Sequence, residues 1–411
     1  MNGGSTNGSK NDGLSRRGML GLLAMAAAAT GVLLPAPAGA GGGDRSAEPI
    51  VVGHYGSTTG KEATFGISTD NGIKLAFEEI NAAGGINGRP LKLITYDTKG
   101  ESQEAGKAVT RLIRSDKVTA VLGEVASTLS LAGGAVCQES KVPMITPSST
   151  NPAVTRGRDY VFRVCFIDPF QGMVVAKFAH ENLSKTKVAV LYDQSAAYSK
   201  GLRDEFKKAF KKMGGEIVAD EAYSGGDQDF SAQLTTIKGA GAQAIFVPGY
   251  YTDVGNIALQ ARKLGLGKDV PLLGGDGWDS EQLAKIAGEA IEGSYYSNHY
   301  APDQATDDVK VFVEKYKAAY SGQTPDGLAA LGYDAALILA DSLKRSNGEG
   351  GKALRDAIAA TKGFKGVTGM ITIDKNRDAT KSAVMVEMKR ADDGNLKPAW
   401  VATVEAGDDA K

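Results

Sequence analysis

From Pro49 onward, short apolar runs alternate with stretches in which apolar residues recur at helical spacing. Ile50 to Val52 reads as a strand, Asp70 to Ala83 as a helix, Leu91 to Tyr96 as a strand and Gln103 to Arg114 as a helix. Val118 to Leu122 and Pro143 to Ile145 predict strands around a helix that starts near Ser127, where Ser and Thr would cap free N–H groups. A second series repeats the grammar. Strands are predicted at Lys187 to Tyr192, Glu216 to Ala222, Ala244 to Val247 and Val270 to Leu273, with helices at Ser199 to Lys212, Phe230 to Lys238 and Val254 to Lys263. An apolar stretch runs from Gly293 to His299. Helices then follow at Asp307 to Tyr320, Leu328 to Ser346 and Lys352 to Thr361, and strands at Gly369 to Ile373, Ala383 to Lys389 and Trp400 to Val404.

Strands alternating with helices imply doubly wound parallel sheets, and the repeated grammar implies two α/β lobes. The late helices cannot all pack on the second series, so the chain is expected to cross back. The division this predicts is residues 49–168 with 299–363 in lobe 1, and residues 169–298 with 364–408 in lobe 2.

Residues 1–40 read differently. A polar start leads to Ser15-Arg16-Arg17, an apolar run from Met19 to Leu34 and the small-residue tail Ala36-Pro37-Ala38-Gly39-Ala40. That order is a secretory signal, and the paired arginines are similar to a twin-arginine leader. Residues 41–48 are a Gly-rich lead-in. Without residues 1–40 the chain carries a net charge of −3 and is expected to be a soluble periplasmic protein. The near balance of charge supplies no basic stripe for nucleic acid. Cys137 and Cys165 leave two readings open, a disulfide or two buried thiols.

Most chemical motifs fail on inspection. Gly56-Ser57-Thr58-Thr59-Gly60-Lys61 is one residue short of a P-loop, and Glu62 stands where magnesium needs Ser or Thr. No G-x-G-x-x-G or G-x-S-x-G pattern occurs. His54, His180 and His299 lack metal-ligand spacing and read as packing or surface residues. No cofactor site is predicted.

What remains lies where strands end, the edge at which open α/β sheets bind ligands. Gly123 to Thr128 and Thr146 to Thr150 are turns rich in small hydroxyl side chains, suited to a carboxylate and an ammonium. Asp193 to Tyr198, Gly249-Tyr250-Tyr251 and Gly274 to Trp278 end strands of the second series and bring Tyr198, Tyr250, Asp276 and Trp278. Asp276, flanked by glycines, offers a fixed negative charge; an Asx turn or a cap for a helix near Ser280 is its competing role.

At these residues the chain resembles the type I periplasmic binding proteins of the leucine/isoleucine/valine-binding family. The resemblance runs from Ile50 to about Thr403 and rests on Asn81 to Leu91, Met144 to Thr155, Phe162-Arg163 with Gln171-Gly172, and Leu273 to Gly277. It implies two lobes joined by three crossovers that close over one ligand. By position, Ser127 and Thr150 would bind an α-carboxylate. The carbonyl of Ser148, the hydroxyl of Thr150 and the carboxylate of Asp276 would take an α-ammonium, with Ser149 in the same turn. Tyr198 and Tyr250 would cover the ligand, and Phe65 and Trp278 would line its side-chain end. Asp276 and Phe65 stand where the family often has Glu and Tyr.

The resemblance implies a monomeric substrate-binding protein, not an enzyme, that delivers an amino acid, branched-chain or aliphatic, to an ATP-binding-cassette permease. The alternative is a receptor of the same fold for an amide, urea or an aromatic acid, feeding a permease or a sensor system.

Overall fold

A computed structural model describes residues 48–406; the leader and most of the lead-in, at residues 1–47, lie outside the described residues, as do residues 407–411. The chain first builds β1 (Ile50–Gly56), α1 (Ala63–Ala82), β2 (Leu91–Asp97), α2 (Ser102–Arg114), β3 (Ala120–Leu122), α3 (Ser127–Ser140), β4 (Met144–Thr146) and β5 (Val161–Arg163). These strands form one parallel sheet in the order β2-β1-β3-β4-β5. Its central strands are apolar on both faces, as helices covering both sides require. In α2 the buried residues Ala105, Ala108, Val109 and Leu112 follow helical spacing and make one apolar stripe.

The second lobe runs through α4 (Asp168–Lys177), β6 (Lys187–Asp193), α5 (Ala197–Lys212), β7 (Glu216–Tyr223), α6 (Ser231–Gly239), β8 (Ala244–Phe246), α7 (Tyr251–Lys263), β9 (Leu272–Gly274), α8 (Glu281–Ala287) and β10 (Tyr295–Asn298). The chain then returns to the first lobe with α9 (Asp307–Ala319), α10 (Gly327–Arg345) and α11 (Gly351–Ala359). Helices α1 and α10 lie close enough that a β-carbon at Gly72 would stand 2.0 Å from Ala329 O.

One lobe boundary differs from the expected one. Residues 364–408 were expected in lobe 2, but β11 (Phe364–Gly366), β12 (Gly369–Ile373) and β13 (Ala379–Thr380) form a small separate sheet. Its Ile371, Ile373 and Ala379 bury in the first lobe's core beside Ile50, Val52 and Leu339. The third crossing therefore falls at Lys381-Ser382, after this sheet. The second sheet is parallel from β7 through β10, as expected of a doubly wound lobe. Its order is β15-β14-β10-β9-β8-β6-β7, and the hairpin of β14 (Ala383–Arg390) and β15 (Leu396–Val404) adds antiparallel strands beyond β10. The sequence missed β5 and α4, whose runs are too short or too uniformly apolar to show a period.

Cys137 and Cys165 are both buried free thiols. Among the described residues, no helix is long and apolar enough to cross a membrane, and no group of His, Cys, Asp or Glu is placed to hold a metal.

Candidate functional site

The first lobe presents the turns that follow β3 and β4, and a network of hydroxyls zips them together. Thr146 Oγ1 donates to Glu124 O at 2.6 Å, and Ser149 Oγ donates to Val125 O at 2.7 Å. Ser127 Oγ accepts from Asn151 N at 3.3 Å. The expected cap at the start of α3 is therefore absent: the residue before the helix is Ala126, and no side chain caps it. Ser127 Oγ instead accepts from the neighbouring turn and keeps its own hydrogen to donate, and Thr128 Oγ1 accepts from Ala197 N in the second lobe at 3.0 Å. The N–H groups of Ser127 and Thr128, in the first turn of a helix, have no intrahelical acceptors.

Two buried charged residues brace these turns. Glu124 accepts from Ser57 Oγ at 2.6 Å, Thr98 Oγ1 at 2.7 Å and Val125 N at 2.7 Å. Arg163, fully buried, donates to the carbonyls of Ser149 and Asn151 and to Thr155 Oγ1, and pairs with Asp378 at 2.7 Å. Asp378 sits just before the third crossing, so the Thr150 turn is tied to the hinge.

The second lobe contributes the ends of β6, β8 and β9. Gly275 and Gly277 let the chain after β9 run close beneath Tyr198 and Tyr250, because a β-carbon at Gly275 would stand 2.4 Å from Tyr198 Oη. Tyr198 and Tyr250 stack with ring centroids 5.4 Å apart and planes 7° from parallel. Gly277 N donates to Tyr198 Oη at 3.2 Å. Burial raises the pKa of both phenols well above the ordinary value.

Asp276 is where the lobes meet. It accepts from Gln171 Nε2 at 2.8 Å, from Ser148 Oγ at 3.2 Å, and from His299 Nε2 at 3.1 Å. Ser148 belongs to the first lobe, Gln171 to α4, and His299 to the second crossing. The helix near Ser280 is capped by Ser280 itself, whose Oγ accepts from Gln282 N, so Asp276 is not that cap. Burial holds His299 down to about 4, against the pull of Asp276. The neutral ring stacks on Phe166 at 3.7 Å.

Of the residues singled out in the sequence, Ser148, Thr150, Tyr198, Tyr250 and Asp276 converge at this junction. Phe65 joins them from α1, its ring edge-on to Tyr250. Thr150 Oγ1 and Tyr250 Oη are buried with no hydrogen-bond partner among the described residues. Ser149 does not join them as a free hydroxyl, because Val125 O and Ser130 Oγ occupy it. Trp278 lies in the second lobe's core, with its Nε1 donating to Val247 O at 2.9 Å. Sequence reasoning gave Gln171 no role in the site, and His299, read as a packing or surface histidine, is instead a buried partner of Asp276.

Comparison with known proteins agrees with this fold. Residues 49–395 match the family described as periplasmic binding protein. The "Leucine-, isoleucine-, valine-, threonine-, and alanine-binding protein" of Pseudomonas aeruginosa is 31% identical over 335 residues, covering 81% of this chain and 88% of that protein. A leucine-binding protein of Thermotoga maritima superposes with a TM-score of 0.81 at 40% identity, over 87% of this chain and 99% of that one. A branched-chain amino acid transporter substrate-binding protein of Streptococcus pneumoniae, in complex with isoleucine, gives 0.79 at 35% identity, over 86% and 99%. With the matched span covering most of its length and both lobes in place, the chain belongs to the periplasmic binding protein family.

Proposed function

We propose that this chain is the extracytoplasmic substrate-binding protein of an ATP-binding-cassette importer, and that its ligand is an α-amino acid with a branched aliphatic side chain. The observation that carries the reading is Asp276. A carboxylate only 4% exposed, fixed by three neutral donors from both lobes and a crossing, is complementary to an ammonium group. Thr150 Oγ1 and the first N–H groups of α3 suit the carboxylate of the same ligand. Phe65, Tyr198 and Tyr250 supply an aromatic surface for an apolar side chain. The names of the relatives from Pseudomonas aeruginosa and Thermotoga maritima support leucine and its neighbours over larger ligands.

Binding is then hinge closure, in which one lobe takes the ligand and the other shuts over it. The closed form is what a membrane permease would read. The chain is exported to the periplasm with loss of its leader and works there as a monomer. It is a receptor and not a catalyst. Ser148 and His299 both donate to Asp276, whereas a nucleophilic triad needs the histidine between serine and aspartate.

Thermal-shift and calorimetric titration against the twenty amino acids, with benzoate, acetamide and urea beside them, tests the reading. Leucine, isoleucine or valine at one hundred times Kd should stabilise the protein by about 2.7 kcal/mol. Stabilisation by benzoate, acetamide or urea and by no amino acid overturns it.

A further inference from the structure

Asp168 opens α4 at the first crossing, is fully buried, and has no hydrogen-bond donor on either carboxyl oxygen among the described residues. A helix start usually offers N–H groups to such a residue, but this one has none to give. Asp168 N donates to Thr150 O at 3.0 Å, Pro169 has no N–H, and Phe170 N and Gln171 N both donate to Ile167 O. The nearby amide of Asn151 is directed to Ala197 O at 2.8 Å. The guanidinium of Arg163 is committed to Asp378, Thr155 and two carbonyls. Thr150, whose carbonyl takes the Asp168 N–H, carries a hydroxyl that is itself buried and unpartnered.

The titratable and charged groups facing Asp168 are Asp276 from the turn after β9, Arg163 from β5, and Glu205 and Tyr198 from α5. Ionised, Asp168 would put a second unpaired negative charge next to Asp276, at the end of the cleft that receives a carboxylate. A buried charge without a partner is strongly disfavoured.

We propose that Asp168 is a neutral acid that positions Thr150: its O–H donates to Thr150 Oγ1, which turns the threonine's own hydrogen toward the cleft to donate to the ligand's carboxylate. The proposal rests on the reading of Thr150 as a carboxylate contact. Burial, reinforced by Asp276 and opposed by Thr150 and Arg163, raises the Asp168 carboxyl to about 8, so it holds its proton at neutral pH. Loss of that proton would reverse the hydrogen bond, take the Thr150 hydrogen away from the ligand and set two carboxylates against each other. Asp168 thereby selects a ligand that carries a carboxylate, and does so only while protonated.

The test uses leucine as the probe, with calorimetric Kd values for the wild type, Asp168→Asn and Thr150→Val between about pH 6 and about pH 9. Wild-type affinity should fall with a slope approaching tenfold per pH unit above the ionisation of Asp168. Asp168→Asn should remove that slope, and Thr150→Val should make it shallower. Infrared difference spectra of wild type minus Asp168→Asn at neutral pH, without ligand, should show the carbonyl stretch of a protonated carboxylic acid. Parallel pH profiles in all three proteins, or the absence of that band, overturn the proposal. If no amino acid binds the wild type at any pH, the reading of the site falls, while the infrared band still decides whether Asp168 is neutral.

Discussion

Phe65 of the first lobe meets Tyr250 of the second edge-to-face, ring centroids 5.4 Å apart and planes at 84°. The contact lies among polar links that also cross the cleft. Thr64 Oγ1 is 2.9 Å from Ser280 Oγ, and Thr252 Oγ1 donates to Lys61 O at 2.7 Å. Phe65 and Val125 bury in one apolar cluster with Leu191, Tyr251 and Trp278, so part of the first lobe packs into the second lobe's core.

Replacing Phe65 by Ala should therefore weaken ligand binding more than it weakens the fold. An aromatic pair contributes about 0.5–1.5 kcal/mol beyond its area. Leucine Kd should rise about tenfold when the lost apolar surface is included, with a faster off-rate in stopped-flow measurement. An unchanged off-rate would mean that the Phe65–Tyr250 contact does not hold the cleft shut.

Asp276→Asn keeps size and shape but removes the charge, while Gln171, Ser148 and His299 remain as donors. Truncating one side of a buried charge pair costs about 2–5 kcal/mol. The expected outcome is a rise of at least about thirtyfold in amino-acid Kd, with the far-ultraviolet circular dichroism unchanged. Wild-type affinity in this variant would reduce Asp276 to a framework residue.

Much of this was legible in the sequence because α/β folds announce themselves through repeated short signals. Ile50 to Val52 and Lys187 to Tyr192 begin strands that the structure extends to Gly56 and Asp193. Asp276 stood out because its glycine neighbours permit close approach. Gln171 and His299 carried no such mark, since their work depends on two crossings that bring distant segments to one carboxylate. Ser127 misled for the opposite reason: its position favours a helix cap, but Asn151 N, in the other turn, reaches its hydroxyl. Tertiary contact overrode local preference there, as it did at β11 to β13, where the apolar Ile371 and Ile373 serve the first lobe.

Gly72 gives a packing prediction. A methyl group there would lie 2.0 Å from Ala329 O and 3.0 Å from Tyr333 N, both backbone atoms of α10. Gly to Ala gains at most about 1 kcal/mol of helix propensity, whereas forcing apart two packed helices costs about 1–3 kcal/mol or more. Gly72→Ala should lower stability to urea, with the shift carried by the unfolding midpoint. A stabilised variant would show that α1 and α10 have room to separate.

The buried acids also set how the ligand-free protein responds to pH. Burial raises Asp168 to about 8; Glu62, for the same reason and despite Lys61, to about 7; and Asp326, helped by Asp279, to about 7. Unfolded carboxyls titrate near about 4. Each of these groups therefore binds more proton in the folded state than in the unfolded state between those values, so its contribution falls as pH rises toward 7 or 8. His299, lowered to about 4 by burial, acts in the opposite direction, but only below its unfolded value of 6.5. Lys381, lowered to about 8 by burial despite Asp334, adds stability mainly above that pH. Between about pH 6.5 and about pH 8 the raised carboxyls dominate. The urea midpoint should fall across that window in the wild type and fall less steeply in Asp168→Asn. A midpoint that rises with pH there would mean these carboxyls are ionised in the folded protein, compensated by contacts other than the ones described.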